Sequence, residues 1–177
     1  RDSVMWQKAV AGICVMVGAF GFGLSLCQEI NSVLLHFKEQ RRMLLFMIRE
    51  ISFLHRPMQE IFVAVGERLK EPYPDFLMAV SKRMEQRSGK NLQEIWHEEA
   101  QQLQKEVLCP KEAVKMLLRI GECFGCEEDK MQMESLKLLE TELAEEIDSR
   151  SEEKEEKSRL IRTLSLLAGI FCIILFI

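Results

Sequence analysis

The side chains best suited to chemistry in this chain are three histidines, six cysteines and an abundance of carboxylates. A zinc or redox site needs two or more thiolates or imidazoles at short, regular spacing. Cys123 and Cys126 have the C-x-x-C spacing of a redox pair or half a zinc site. They follow a helical pattern rather than a strand, however, and no second pair completes a tetrahedral set, so both read as partly buried thiols in a reducing compartment. His36, His55 and His97 are scattered, and His97-Glu98-Glu99 lacks the second histidine of a helical zinc site. Cys14, Cys27 and Cys172 fall in apolar runs, where a thiol behaves as a small hydrophobe. Glu127, Glu128 and Asp129 stand where a helix begins and complement its positive end, while Glu152 and Glu153 sit in a wholly polar stretch. No glycine-rich phosphate loop, nucleophile elbow or paired acid and base is present. The expectation is a protein that is not an enzyme, with no cofactor, no metal and no small-molecule substrate. A net charge of −4, without a Lys/Arg run interleaved with aromatics, also argues against nucleic acid as a partner.

The elements that would position these residues are helices. From Glu29 to Leu54, Ile30, Val33, Leu34, Phe37, Leu44, Leu45, Ile48 and Ile51 recur at helical spacing, with Lys38, Arg41, Arg42 and Arg49 between them. That basic face, around Arg41, Arg42 and Arg49, reads either as a surface for an acidic protein or anionic lipid, or as a solvated helix side. Pro57 opens a second helix with its stripe at Met58, Ile61, Phe62, Val65 and Leu69. Glu71-Pro72-Tyr73-Pro74 marks a turn. A third helix carries Phe76, Leu77, Val80 and Met84 and ends near Ser88-Gly89. Asn91 caps a fourth, with Glu94 three residues on as a capping-box partner, and Leu92, Ile95, Trp96, Leu103 and Val107 as its stripe. Pro110, at a first helical position, starts a fifth helix lined by Val114, Leu117, Leu118 and Phe124. Leu136, Leu139, Leu143 and Ile147 give a sixth. No alternating strand pattern interrupts the series, so an all-α, six-helix bundle is expected.

The two ends differ in kind from this middle. Residues 9–27 contain no charge and are long enough to span a bilayer, and Gly12, Gly18, Gly21 and Gly23 would let another helix approach closely. Residues 148–159 contain no apolar side chain and read as a solvated stalk. Residues 160–177 are apolar apart from Arg162, Thr163 and Ser165, and as a helix would reach about 27 Å, a short span. The expected organisation is a tail at 1–8, a transmembrane helix at 9–27, a bundle at 28–147, a stalk at 148–159 and a second transmembrane helix at 160–177.

Several separate places resemble one family. A long helix ends in a Glu-Ile, aromatic, Pro-hydrophobic pattern at Glu50, Ile51, Phe53, Pro57 and Met58. A Leu-x-x-x-Trp element falls at Leu92 and Trp96, and a Gly-x-x-x-Gly-x-x-x-Asp-x-x-Gln segment at Gly121, Gly125, Asp129 and Gln132. Near the end, Lys157, Ser165, Leu167, Ala168 and Gly169 lead into aliphatics. Together these resemble the stage III sporulation protein AB family of endospore-forming bacteria, with Ile120 and Phe124 where that family has leucines and Cys126 at an often aliphatic place.

The resemblance implies a fold similar to the cytoplasmic domains of the type II secretion and pilus platform protein. It also implies a platform subunit in the mother-cell membrane facing the forespore, within the sporulation channel complex and beside the stage III AA secretion-type ATPase. Such a subunit would be integral to the membrane, in contact with lipid, and an oligomer. Basic residues are richer on the loop side of both apolar runs, which favours a cytoplasmic bundle. The rival reading is a lipid-anchored or tethered helical scaffold facing outside the cytoplasm, with no ATPase, which would require processing at Cys27.

Overall fold

The computed structural model describes residues 31–53, 56–86, 89–106, 109–125 and 128–176, and among them all regular structure is helical. Six α-helices follow in order. These are α1 at 31–53, α2 at Met58–Gly66, α3 at Tyr73–Glu85, α4 at Leu92–Glu106, α5 at Lys111–Glu122 and α6 at Asp129–Phe176, with a 3-10 turn at Cys123–Gly125 after α5. The apolar run 9–27 lies outside the described residues.

Residues Val33–Asp148 form one compact unit. Its core takes one stripe from each helix, as helical periodicity requires. Phe37, Leu44 and Met47 come from α1, Phe62 and Val65 from α2, Phe76, Leu77 and Val80 from α3, and Ile95 and Trp96 from α4. Leu117 and Ile120 come from α5, and Leu136, Leu139, Leu143 and Ile147 from α6. Leu45, expected in the stripe of α1, is instead 46% exposed, while Met43 and Met47 are fully buried alongside Leu44. Methionine is unbranched and fills irregular gaps, so hydropathy alone does not rank it against leucine.

Local chemistry sets the helix ends. Pro57 and Pro110 have φ near −55° and stand one position before α2 and α5 as N-caps, so Pro110 precedes the first helical residue rather than occupying it. Each gives its carbonyl to the first helical amides, Pro57 to Ile61 at 3.2 Å and Pro110 to Val114 at 3.1 Å. Asn91 forms a reciprocal capping box: its Oδ1 accepts from the Glu94 amide at 2.8 Å, and its own amide donates to Glu94 Oε2 at 3.2 Å. The 71–74 turn is shorter than the sequence suggests. Glu71-Pro72 is cis, and Tyr73 and Pro74 already belong to α3, where a proline in the first turn withholds an amide that no intrahelical acceptor would take. Leu69 likewise lies in the turn after α2, although its side chain is still buried. Gly89 has φ +75°, a left-handed conformation that glycine adopts without a Cβ clash.

α1 and α6 are antiparallel neighbours. Arg41 Nε bonds Glu140 Oε1 at 2.7 Å, and eleven residues further along α1 Ser52 Oγ meets Met133 Sδ at 3.7 Å. The second unit contains Ser149–Ile177. Here the charged stretch is regular helix, with Lys157 bonded to Glu153 one turn away at 2.6 Å and Lys154 Nζ bonded to Asn31 at 2.7 Å. α6 therefore runs without a break from Asp129 to Phe176. Among the described residues no helix is long and apolar enough to cross a membrane, and most of the expected span 160–177 has side chains outside them.

Candidate functional site

Several of the residues that carry the resemblance fall at two places within the Val33–Asp148 unit. At the first, α4 delivers Trp96 one turn after Leu92, and the indole is wholly buried. Its Nε1 donates to the Leu117 carbonyl at 2.7 Å, so the one polar atom of the ring is satisfied. Phe62, Phe76 and Phe124 surround it, with ring centroids at 5.7, 4.8 and 5.1 Å. Gly121 of α5 lies flat against the indole. A Cβ there would stand 3.0 Å from Trp96 Cγ and closer still to Cδ1, so only glycine admits the helix at this distance. Gly125 plays the same part against Gln93, but there the neighbouring atom ends a flexible side chain. Gln132 sits in the first turn of α6, its amide bonded to Glu128 O at 3.0 Å, and Asp129 opens that helix. Gly169 lies within α6 in the other unit.

At the second place, Glu50 of α1 is buried, and Arg68, just past α2, reaches it at 3.3 Å. The guanidinium of Arg68 also lies over the Phe46 ring, 5.4 Å from its centroid, and Arg42 approaches the same ring at 5.5 Å. Ile51 packs against the core on the adjoining side, and Pro57 stays exposed as the α2 cap. Of the three arginines on the basic face of α1, Arg41 is bonded to Glu140 and Arg42 is drawn to Phe46 and to Glu39 at 3.9 Å. Arg49 is exposed with no ion-pair partner among the described residues.

A third grouping was not foreseen from the sequence. His36 Nδ1 lies 2.9 Å from the Tyr73 hydroxyl and 3.9 Å from Cys109 Sγ. A cysteine beside a histidine suggests an activated nucleophile, but the electrostatics oppose it. Burial pushes the Cys109 thiol up to about 11, lowers the His36 imidazole below its usual range, and raises the Tyr73 phenol. All three groups are therefore held neutral near pH 7, and a neutral thiol is a poor nucleophile and a poor metal ligand. His36 borders a cleft of about 560 Å³ with Glu71, Asp75, Phe76 and Leu103 along it and Glu99 at its wall. Glu99 is bound by Arg83 at 2.8 Å, and Arg83 also holds Glu98, which Lys90 grips from the other side at 2.5 Å. These bonds raise Arg83, through Glu99 first, and lower Glu98, through Lys90 first. Among the described residues no three His, Cys, Asp or Glu side chains cluster as a metal ion would require. Cys123 is buried with its Sγ 3.6 Å from the Arg119 carbonyl, and Cys126 lies outside the described residues. Nothing in the spacing of His36, Tyr73 and Cys109, or of Glu50 and Arg68, announces these pairings, because each joins residues far apart along the chain.

These features define a helical-bundle protein whose motif residues hold helices together: a glycine for close approach, an indole at the core, a buried carboxylate under an arginine. The chain belongs to the stage III sporulation protein AB family, whose profile matches residues 8–177. It is similar to the stage III sporulation protein AB of Bacillus subtilis (strain 168), 22% identical over 170 residues that cover 95% of this chain and 98% of that protein. A solved structure of a stage III sporulation protein AB shares the fold with a TM-score of 0.62 at 18% identity, over 71% of this chain and 98% of the other. The family is one of sporulation proteins and is not a known enzyme family.

Proposed function

We propose that the chain is a non-enzymatic platform subunit of the sporulation channel complex between mother cell and forespore, coupling a stage III AA-type ATPase to the membrane ring during endospore formation. The family match over residues 8–177 carries this reading. In it, residues 9–27 and 160–177 are the two membrane spans, and the bundle sits on the cytoplasmic side, where ATP is available. The unbroken course of α6 supports the reading further. Residues 148–159 are regular helix within α6, a stiffer connection than the same residues would make as coil.

The test is topology in sporulating cells, by labelling with a membrane-impermeant thiol reagent. Gln86, exposed just past α3 with ordinary helical φ, is a better place for the single reporter cysteine than Gly89, whose positive φ penalises any side chain. With the six native cysteines replaced, Gln86→Cys is expected to be protected in intact mother cells, labelled after lysis, and to co-purify with the ATPase. Labelling in intact cells would place the bundle outside the reach of ATP and end the platform reading.

A further inference from the structure

Two helix faces of the Val33–Asp148 unit remain uncovered side by side, and they are opposite in charge. On α1, Leu35, Lys38, Arg42, Leu45, Arg49 and Phe53 follow one another at steps of three and four. All are exposed, Phe53 at 77% and Leu35 at 59%. No carboxylate shares that line, because Glu39 turns to the Lys70 amide and Glu50 to Arg68. On α6, Met131, Glu134, Leu138, Thr141, Glu145 and Asp148 follow the same spacing, again all exposed. That line carries three carboxylates and no cation, with Lys137 one position to its side. Steps of three and four along a line are the seam at which one helix packs on another.

The levels match as well as the charges. The contacts Arg41–Glu140 and Ser52–Met133 differ in register by about one turn, and at their mean Lys38 is level with Glu145, Leu45 with Leu138, Arg49 with Glu134 and Phe53 with Met131, each to within about half a turn. A cation therefore stands level with an anion, and an apolar residue with an apolar residue, although within one copy each pair points outward. A two-fold rotation about an axis running along the helices, in the plane of this face, lays α1 of one copy on α6 of the other and keeps every residue at its level. Lys38 then meets Glu145 of the second copy, Arg49 meets Glu134, and Leu45 and Leu138 close the middle. A two-fold axis across the helices would instead stack α1 on α1 and bring cations together.

We infer that the α1–α6 face is a self-complementary dimer surface, occupied by a second copy of this chain. An anionic membrane surface would answer the line on α1 but would repel the acidic line beside it. A dimer on this face is independent of any ATPase contact.

Sedimentation equilibrium of the full chain in density-matched detergent tests it. The unsubstituted protein is expected to be a dimer. Arg49→Glu and Glu134→Arg, each striking two symmetry-related contacts at exposed positions, should each weaken the dimer by about tenfold or more, and the double variant should restore it. Leu138→Lys, in the apolar middle, should dissociate it without loss of helicity by circular dichroism. A monomer at every concentration, single variants with an unchanged equilibrium, or a double variant no better than the singles would each overturn the dimer. Association that depends on added phosphatidylglycerol and ignores Glu134→Arg would assign the basic line to lipid and overturn it as well.

Discussion

Position 121 shows how a single missing methyl can fix the distance between two helices. Gly121→Ala gains up to about 1 kcal/mol of helix propensity. It also drives a Cβ into Trp96, which cannot retreat because the Leu117 carbonyl holds its nitrogen and three phenylalanines hold its ring. Overpacking of this kind costs roughly 1–3 kcal/mol, so the net effect should be a lower urea midpoint by circular dichroism. Gly125→Ala, facing only the movable end of Gln93, should change the midpoint far less. His36 gives a second prediction. Its imidazole is held below its usual value by burial, so the unfolded chain takes up the proton first as pH falls. The stability that the neutral ring contributes is complete above the unfolded-state value of 6.5 and is lost as pH drops through the lower folded-state value. Thermal unfolding between about pH 7.5 and 5 should therefore show a falling midpoint whose slope flattens in His36→Gln. The lowered Glu98 carboxyl acts in a different window, below its own usual value of 4.5.

Among the elements, α4 has the most explicit start signal. Asn91 and Glu94 satisfy each other's backbone amides, and the same helix carries Trp96 to the centre of the aromatic cluster. Asn91→Ala removes the acceptor for the Glu94 amide and should cost about 1 kcal/mol, read as a lower urea midpoint with an unchanged m-value. This cap, the proline starts of α2 and α5 and the apolar stripe of α6 were all legible in the sequence, because each depends on residues within one or two turns of each other. Less legible was the start of α3, where two prolines suggested a turn longer than the one that forms.

For the whole molecule, the continuity of α6 makes the charged stretch 148–159 mechanically significant. Glu152→Pro removes an intrahelical amide and clashes with the preceding turn, at about 3 kcal/mol. Because position 152 lies outside the Val33–Asp148 unit, the urea midpoint of the bundle should stay within error. Spore formation should fall sharply if movement passes along α6, and a full spore count from this variant would show that a broken helix serves as well.

By itself, the sequence determined the helical class, the order of the helices and most of the core, because periodicity and capping act over a few neighbouring residues. It also supplied the glycines, the tryptophan and the Glu-Ile pattern that carry the resemblance to the family. Only the tertiary structure decided what those residues touch. It showed that Gly121 is bound to be glycine by Trp96, that Glu50 is buried beneath Arg68, and that Cys109 and His36 meet yet stay neutral. It also showed that α1 and α6 turn oppositely charged lines to the same side. Each of these joins residues far apart along the chain, and their distance is set by the packing of the whole core rather than by the spacing of residues along any one element.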